Sequence, residues 1–334
     1  MNDKVGTAAT ALALAGLALT GCGGDDGDAE EPRRTKGRTI AVIGDTPYGP
    51  AQVAGFRRDI AKINADPDVR LVIHLGDIQE PPSRCGDDYL KRIRRDFDTS
   101  SDPVVYTPGD NEWTDCHQPD KGGLAPTQRL AKLRSVFFDS PGQTLGRHPR
   151  RVKAQGAPFV ENVRWSEDRT VFTTLHVPGS NNGLQPWSTD PARSKEQMED
   201  HRARAKADLS LLDQTLDAAR SQRAAAVVVA MQADMWPPQA PPVPTSGYDR
   251  IVARLARRAR AFRRPVLVLQ GDSHHFKFDH PLRVGSGLHG VTTAAPNVIR
   301  VVVQGAASSP REWLRLHVTR TPEVFTWDRV RLNR

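Results

Sequence analysis

The sequence lacks the features that mark several specialised classes of protein. Only three of its 334 residues are cysteine and only 6% are aromatic, and the aromatic residues are not spaced as a platform for stacking bases. No repeat of long period runs through the chain. The formal net charge of +8 comes largely from arginine, without a recognition motif for nucleic acid beside it. We therefore predict no specific nucleic-acid partner, whereas anionic substrates or anionic head groups would be attracted.

The apolar run near the amino terminus is too short to span a bilayer. It extends from Ala8 to Leu19 and leads into Thr20-Gly21-Cys22, where small residues precede a cysteine as at a signal-peptide cleavage site. This stretch resembles the lipobox of bacterial lipoproteins, in which the cysteine, here Cys22, takes a lipid and becomes the first mature residue. We therefore predict a leader over residues 1–22 and an extracytoplasmic protein anchored to the cell membrane by this lipid. The alternative is a plain secretory signal that is cut elsewhere, which would release the protein.

The rest of the chain divides into a short polar segment and a long one. Residues 23–37 are acidic and then basic, contain several glycines and show no apolar periodicity, which predicts a solvated tether. Residues 38–334 are numerous enough to bury a substantial core, and we predict that they form one domain.

Four short hydrophobic runs each end in a Gly-Asp pair. The aspartates are Asp45, Asp77, Asp110 and Asp272, after runs that begin at Thr39, Val69, Val104 and Val266. The runs do not alternate with polar residues, so we expect strands of a parallel sheet with both faces covered. Any one Gly-Asp pair is ordinary turn chemistry. Four carboxylates at the carboxyl edge of a sheet would repel one another unless a cation lay among them, and the pattern therefore predicts a metal centre.

Helical periodicity separates these strands, and further β segments follow. The predicted helices cover residues 49–64, 87–97, a segment from 126, 191–220 and 248–262. The further predicted strands cover residues 159–165, 170–177, 224–231, 281–284, 298–303, 314–319 and 323–328, the last four as a C-terminal meander. One sheet cannot hold so many β segments. We therefore predict an α/β fold in which two sheets pack face to face with helices outside.

Two polar stretches near the predicted metal centre are interpreted as parts of the fold and not of the site. The segment Pro178–Gly183 could face the site, but we interpret it as a turn and nothing more. His74 lies inside the hydrophobic run before Asp77, and we expect it to be a hydrogen-bonded histidine of the core.

Cys85 and Cys116 remain once Cys22 is set aside, and they form an even pair in an oxidising compartment. Cys85 follows the loop of Asp77 and Cys116 follows the loop of Asp110, so neighbouring strands would bring the two to one edge of the sheet. We predict a disulfide that closes a loop of about 30 residues and stabilises the fold by roughly 3–4 kcal/mol. Two unrelated thiols are the alternative.

The polar strand ends form an ordered series along the chain. They read Gly44-Asp45-Thr46-Pro47, Gly76-Asp77-Ile78-Gln79, Gly109-Asp110-Asn111-Glu112, Gln232-Ala233-Asp234 and Gly271-Asp272-Ser273-His274-His275. This series resembles the calcineurin-like metallophosphoesterase superfamily, whose signatures D-x-H, G-D-x-x, G-N-H-(D/E), a lone His and G-H-x-H follow in the same order. The resemblance implies a four-layer α/β/β/α sandwich of two packed mixed sheets, with residues 38–334 as a phosphoesterase domain.

The resemblance also implies two divalent metal ions with Asp77 bridging them. Asp45 and His274 would complete one metal site. The other site would draw on Asp110, Asn111, Asp272, Gln232 or Asp234. The implied reaction is hydrolysis of a phosphate ester by a metal-activated water.

The substrate of this reaction would be a phosphorylated small molecule or a phosphorylated component of the cell envelope. Two further residues would take part in the reaction. Asn111 would polarise or orient the phosphate. His275 could act as an acid near the site.

Four histidines of the family pattern are missing. Pro47, Asn111, Gln232 and Asp272 stand in their places, and three of these replacements offer oxygen donors. Oxygen ligands favour Mn, Mg, Ca or Fe over Zn. One reading is an active branch of the family, and the other is a catalytically degraded domain that binds metal or a phosphorylated ligand at the cell envelope. We favour the active branch because the replacements so consistently keep an oxygen donor. A third possible function is that of a structural scaffold in the cell envelope.

Overall fold

The computed structural model describes residues 37–79, 85–188, 192–238 and 242–332. The predicted leader over residues 1–22, with Cys22, and residues 23–36 of the predicted tether lie outside the described residues. Within the part of the chain that the structure describes, no helix is both long and apolar enough to cross a membrane.

The described residues form twelve strands and five longer helices. The strands are β1 (Arg38–Ile43), β2 (Val69–His74), β3 (Val104–Tyr106), β4 (Lys153–Ala154), β5 (Val163–Glu167), β6 (Thr170–Thr174), β7 (Ala226–Ala230), β8 (Val266–Gln270), β9 (Lys277–Asp279), β10 (Val298–Val302), β11 (Glu312–Val318) and β12 (Phe325–Arg331). The helices are α1 (Gly49–Asn64), α2 (Asp87–Phe97), α3 (Pro126–Phe137), α4 (Lys195–Ser221) and α5 (Asp249–Phe262). Single 3₁₀ turns occur at Thr114–His117, Pro119–Lys121, Ser246–Tyr248 and Gly287–His289.

The strands assemble into two mixed sheets. The first has the order β12-β11-β1-β2-β3, in which β1, β2 and β3 are parallel and the other two are antiparallel to their neighbours. The second has the order β4-β5-β6-β7-β8-β10-β9, in which the four strands from β6 to β10 are parallel. Because α1 and α2 are crossovers between parallel strands, the carboxyl ends of β1, β2 and β3 lie side by side.

Three apolar cores separate four layers. Between the sheets, Ile40 of β1 packs in one cluster with Leu267 of β8. On the other face of the first sheet, Ala41 belongs to a cluster that includes Phe56 of α1. On the outer face of the second sheet, β7 and β8 pack against α4 and α5, with Leu212 among the buried residues. The order is helices, sheet, sheet and helices, so the predicted α/β sandwich of two packed mixed sheets is confirmed.

The alternation along β1 explains why its sequence shows no polar face. Ile40 and Val42 point into the core between the sheets, and Ala41 and Ile43 point toward the helices. All four are 5% exposed or less. Since both faces of the strand are covered here, all four positions from Ile40 to Ile43 are apolar.

Two predicted features of the C-terminal part are wrong. Residues 281–284 form turns instead of a strand, and the short strand in this region is β9. Pro281 has no N–H to donate to a sheet, and Gly285 takes a φ of +94° that ends any extended run. The C-terminal strands do not form one meander either, because β10 joins the second sheet while β11 and β12 join the first.

The predicted disulfide between Cys85 and Cys116 is present. Their Cα atoms are 5.7 Å apart, and both residues are almost fully buried. Gln79, two residues after Asp77, donates a hydrogen bond to the carbonyl oxygen of Asn111 at 2.8 Å beside the disulfide. The loops after β2 and β3 are therefore joined by covalent and polar contacts. A disulfide is consistent with an extracytoplasmic location.

Candidate metal centre

Four acidic loops converge where the strands of both sheets end. Asp45, Asp77 and Asp110 follow β1, β2 and β3, and Asp272 follows β8 of the second sheet. One carboxylate oxygen of each of Asp77, Asp110 and Asp272 lies within 4.8 Å of the other two. Asp45 joins them, because both of its carboxylate oxygens accept from the backbone N–H of Asp272 at 3.0 Å. We call these four residues the acid cluster.

The Gly-Asp pairs reflect close packing between loops. A Cβ atom at Gly109 would lie 2.0 Å from Oδ1 of Asp77, and one at Gly271 would lie 2.8 Å from Oδ2 of Asp45. Only glycine leaves room for the carboxylate of the neighbouring loop. Asp45, Asp77 and Asp272 themselves have φ values of 50°, 53° and 71°, in the left-handed region that aspartate tolerates better than most residues.

Burial and mutual repulsion both oppose ionisation of the acid cluster. Burial, followed by the negative charge of neighbouring acids, raises the pKa of Asp77 and Asp272 well above the usual value. Burial does the same to the pKa of Asp45. Burial and then the charge of Asp115 raise the pKa of Asp110 to about 7. A cation among these carboxylates would relieve the repulsion and favour their ionised forms.

The donor atoms of the cluster fit a divalent metal ion. Oδ1 of Asp110 and Nδ1 of His274 are buried and have no hydrogen-bond partner among the described residues. Carboxylate oxygens with an imidazole nitrogen suit hard and borderline divalent cations. Asp77, Asp110 and Asp272 are close enough together to hold such an ion.

His274 lies beside Asp45, with which the sequence pairs it. A Cβ atom at Gly305 would lie 2.6 Å from Nδ1 of His274 and 3.0 Å from Cβ of Asp45, so both side chains pack on this glycine. Burial and the neighbouring His275 lower the pKa of His274. Its imidazole is therefore neutral near pH 7, as a metal ligand must be.

His275 has a hydrogen-bond partner outside the acid cluster. It is exposed, and its ring nitrogen Nδ1 lies 3.3 Å from Oγ of Ser308. No contact joins it to the cluster within the described ranges, so its predicted role as an acid stays a prediction.

Two amide side chains donate to the cluster. Nε2 of Gln232 donates to Oδ2 of Asp77 at 3.1 Å and to Oδ1 of Asp272 at 3.2 Å, while its oxygen accepts from the backbone N–H of Gly179. Nδ2 of Asn111 donates to Oδ2 of Asp77 at 3.2 Å. Both side chains thus turn a nitrogen toward the carboxylates, and their predicted roles as metal ligands stay predictions.

Tyr48 belongs to the site but was missed by the sequence reasoning. Its hydroxyl donates to Oδ2 of Asp77 at 3.2 Å and accepts from Nδ2 of Asn111 at 3.1 Å, and its ring lies 5.3 Å from that of His274. The residue is 5% exposed. The available signal was its position three residues after Asp45, in a loop already assigned to the site.

The interpretation of Pro178–Gly183 as a turn and nothing more is wrong. The segment is a single left-handed turn, and Oγ of Ser180 donates to Oδ2 of Asp110 at 2.6 Å. A Cβ atom at Gly179 would lie 2.7 Å from Oδ1 of Asp110 and of Asp272. The turn therefore packs directly on the acid cluster. The sequence of the turn contains no periodic pattern from which this contact could be predicted.

Asp234 is bound into a separate ion pair. Its Oδ1 accepts from Nη1 of Arg300 at 2.5 Å, and its Oδ2 accepts from Oγ of Ser273 at 2.8 Å. Its contact with the acid cluster is a backbone hydrogen bond from its N–H to Oδ2 of Asp272 at 3.2 Å. Asp234 thus supports the position of Asp272.

His74 is the hydrogen-bonded core histidine that the sequence predicts. It is fully buried, its Nε2 lies 2.8 Å from the carbonyl oxygen of Thr46, and its Nδ1 accepts from the N–H of Gly76 at 3.2 Å. Burial lowers the pKa of His74 to about 4. The neutral ring holds together the loops that carry Asp45 and Asp77.

Comparisons with known proteins identify distant structural likeness. No protein-family model and no curated protein matches the sequence. The chain is similar in structure to GAP50, the anchor in the inner membrane complex of Plasmodium, with 10% identity, a TM-score of 0.46 and coverage of 89% of both chains. It is also similar to a putative 5'-nucleotidase from Staphylococcus aureus in complex with alpha-ketoglutarate, with 13% identity, a TM-score of 0.40 and coverage of 89% of this chain and 54% of that one. At such low identity neither likeness is evidence of a shared activity.

Proposed function

We propose that this protein hydrolyses phosphate esters with divalent metal ions bound at the acid cluster. The observation that carries the proposal is the convergence of four carboxylates from four strand ends, of which three are buried and that of Asp272 is half-buried. Within the described ranges their hydrogen-bond partners are amides, hydroxyls and backbone N–H groups, and no lysine or arginine pairs with any of the four. Since ionised buried carboxylates need a counter-charge, this arrangement supports a cation bound from outside the chain.

The side chains divide into two ligand sets. Asp77 would lie between two ions, Asp45 and His274 would bind one, and Asp110 with Asp272 would bind the other. Ions bound there would polarise the phosphate and lower the pKa of a water molecule. The predominance of carboxylate donors supports Mn, Mg, Ca or Fe over Zn.

The surrounding polar residues would orient the cluster and the substrate. Tyr48 and the amide of Gln232 hold Oδ2 of Asp77 by hydrogen bonds. Asn111 donates to the same oxygen, and its amide would orient a phosphate oxygen. His275 is exposed beside His274 and would supply a proton to the leaving group.

The proposal includes a location and a class of substrate. The protein would be held at the outer side of the cell membrane through a lipid on Cys22, and the disulfide between Cys85 and Cys116 supports an oxidising location. Its substrate would be a phosphorylated small molecule or a phosphorylated envelope component, to which the net charge of +8 would contribute attraction.

The test begins with metal content and continues with a substrate screen. Protein purified without chelator should contain Mn, Mg, Ca or Fe by elemental analysis and should hydrolyse nitrophenyl phosphate monoesters or diesters. Asp77→Ala should lose both the metal and the hydrolysis, whereas the exposed Asp120→Ala should keep both. Equal hydrolysis by wild type and Asp77→Ala would count decisively against the proposal.

A binding function is the second candidate. Pro47 and Asn111 stand where the family pattern has histidines, and Asn111 turns its amide nitrogen toward Asp77. A degraded centre of this kind would take up metal or phosphate stoichiometrically and hydrolyse no ester across the panel of metals. That outcome would select the binding function over the enzyme.

A further inference from the structure

The left-handed turn beside the acid cluster is a costly conformation. Ser180, Asn181 and Asn182 have φ values of 50°, 58° and 58°, so three consecutive residues other than glycine lie in the left-handed region. This region is unfavourable for L-amino acids because Cβ approaches the following carbonyl oxygen. Such strain persists only where the surrounding structure holds the segment firmly, and it is concentrated at functional sites.

Arg204 is the main support of this turn. It is 1% exposed, and its guanidinium donates to Oδ1 of Asn182 at 2.8 Å and to the carbonyl oxygen of Asn182 at 3.1 Å. The same guanidinium lies over the ring of Trp113 with 5.0 Å to the centroid, and the backbone N–H of Trp113 donates to the carbonyl oxygen of Asp110 at 3.2 Å. One buried cation therefore connects the turn with the loop of Asp110.

The second half of the support comes from the segment before α5. The N–H of Gly247 donates to Oδ1 of Asn181 at 2.7 Å, and Nδ2 of Asn182 donates to the carbonyl oxygen of Gly247 at 3.2 Å. The turn is thus fixed from two sides by contacts that do not involve Ser180. The side chain of Ser180 remains available for the acid cluster.

The turn acts on Asp110 in an asymmetric way. Oγ of Ser180 donates to Oδ2 of Asp110 at 2.6 Å, whereas Oδ1 of Asp110 is buried and has no partner among the described residues. That unpaired oxygen is the one that meets Gly179, together with Oδ1 of Asp272. The hydroxyl therefore fixes the rotation of the carboxylate and leaves one oxygen directed toward the cluster.

We propose that Ser180 is a positioning residue for the metal centre, which presents Oδ1 of Asp110 to a divalent cation by holding Oδ2. The inference rests on the proposed function, because it assumes that a cation binds at the acid cluster. A residue that orients a metal ligand by a hydrogen bond typically contributes a factor of about 10–100 to the metal affinity. Ser180 would act through Asp110, without contact to the substrate.

The test measures Mn²⁺ affinity of the full chain by titration calorimetry or electron paramagnetic resonance, without any substrate. Ser180→Gly removes the hydroxyl while glycine adopts the left-handed conformation readily, so the fold is retained. We expect Ser180→Gly to bind Mn²⁺ about 10- to 100-fold more weakly than wild type. Ser180→Asn, which supplies an amide donor and tolerates the left-handed conformation, should recover part of the affinity.

Arg263→Gly is the control for the change to glycine, because Arg263 is exposed, also has a left-handed φ of 63° and lies outside the acid cluster. It should keep the affinity of wild type. Wild-type affinity in Ser180→Gly would overturn the role of Ser180 while leaving the metal centre intact. Metal uptake by wild type without hydrolysis would overturn the enzymatic proposal alone, and no uptake by wild type would overturn both.

Discussion

Glu161 and Asp77 are equally buried carboxylates that have opposite surroundings. Glu161 is fully buried and Asp77 is 3% exposed. Burial opposes ionisation of Glu161, but His176 at 2.8 Å and Arg134 at 2.5 and 3.0 Å outweigh it and lower its pKa to about 2. Asp77 has only neutral donors and further acids around it, and its pKa is raised well above the usual value. Burial is common to both, so the counter-charge makes the difference.

A second buried network follows the pattern of Glu161. Arg300 is 1% exposed and pairs with Asp234 and with Asp279, whose pKa it lowers against the effect of partial burial. Glu161 and Asp234 are thus buried acids that are paired with arginines of the same chain. Among the residues whose positions the structure describes, none provides such a partner for the acid cluster, and this contrast is the physical argument for a cation there.

Replacing Asp77 should give the largest effect on activity. Asp77→Asn removes one negative charge while keeping the shape of the side chain. We expect hydrolysis to fall by at least about 100-fold, the scale of losing one electrostatic contact to the reacting centre. In chelator, the same variant should melt at a higher temperature than wild type, because one repelling charge is gone. A lower melting temperature of the metal-free variant would contradict the description of the cluster as uncompensated.

Replacing Glu161 should have the opposite result, a loss of stability without a loss of metal affinity. Glu161→Gln leaves Arg134 without its counter-charge, and breaking a buried ion pair costs about 3–5 kcal/mol of unfolding free energy. Urea unfolding measures this loss. The affinity for Mn²⁺ should remain that of wild type, because Glu161 belongs to the compensated network. A variant as stable as wild type would break the comparison.

The pH dependence of stability should separate the two regions. An acid whose pKa is raised by folding binds its proton more tightly in the folded state than in the unfolded state. This tighter proton binding stabilises the folded protein at low pH, and the stabilisation is lost as the pH rises from the unfolded pKa to the folded pKa. For Asp110, with a folded pKa of about 7, metal-free protein should lose stability from about pH 4 to about pH 7. Glu161 should act in the opposite direction, contributing stability above about pH 4.5 that is lost as the pH falls toward 2.

Thermal unfolding across this range, with chelator and with saturating Mn²⁺, measures both effects. Bound cations keep the carboxylates ionised, so the decline between acid and neutral pH should disappear in the loaded protein. The same decline in both forms would exclude the acid cluster as its source.

Replacing His74 should have the smallest effect of the series. His74→Phe keeps an aromatic ring among Phe56 and Phe97 but removes the hydrogen bonds to Thr46 and Gly76. Leaving these buried backbone groups unpaired should cost about 1–3 kcal/mol of unfolding free energy. Chemical denaturation gives the value. Loss of Mn²⁺ binding without loss of stability would make His74 part of the metal centre instead of its support.

Local sequence pattern predicted the elements that carry the acid cluster. α1 and α2 have the predicted bounds because apolar residues recur at helical spacing between signals that stop the helix. The strands that end at Asp45, Asp77, Asp110 and Asp272 were visible as unbroken apolar runs. Because carboxyl ends of neighbouring parallel strands share an edge, the meeting of these acids could be expected before any coordinates.

The missed features depend on contacts between distant parts of the chain. Ser180 and Asp110 are 70 residues apart, and Tyr48 and Asn111 are 63 residues apart. Neither contact leaves a periodic trace in its own segment. The division of the C-terminal strands between two sheets also depends on distant contacts. β10 and β11 both contain apolar residues, but they pair with different neighbouring strands.

Residue type and spacing were enough to predict that acidic loops follow a set of buried strands, because they govern local conformation. The orientation of the atoms around these acids became known from the assembled fold. Gln232 and Asn111 direct nitrogens toward Asp77, His275 faces solvent, and a strained turn holds Asp110. Such orientations follow from hydrogen bonds and packing between loops, which exist only once both sheets have assembled.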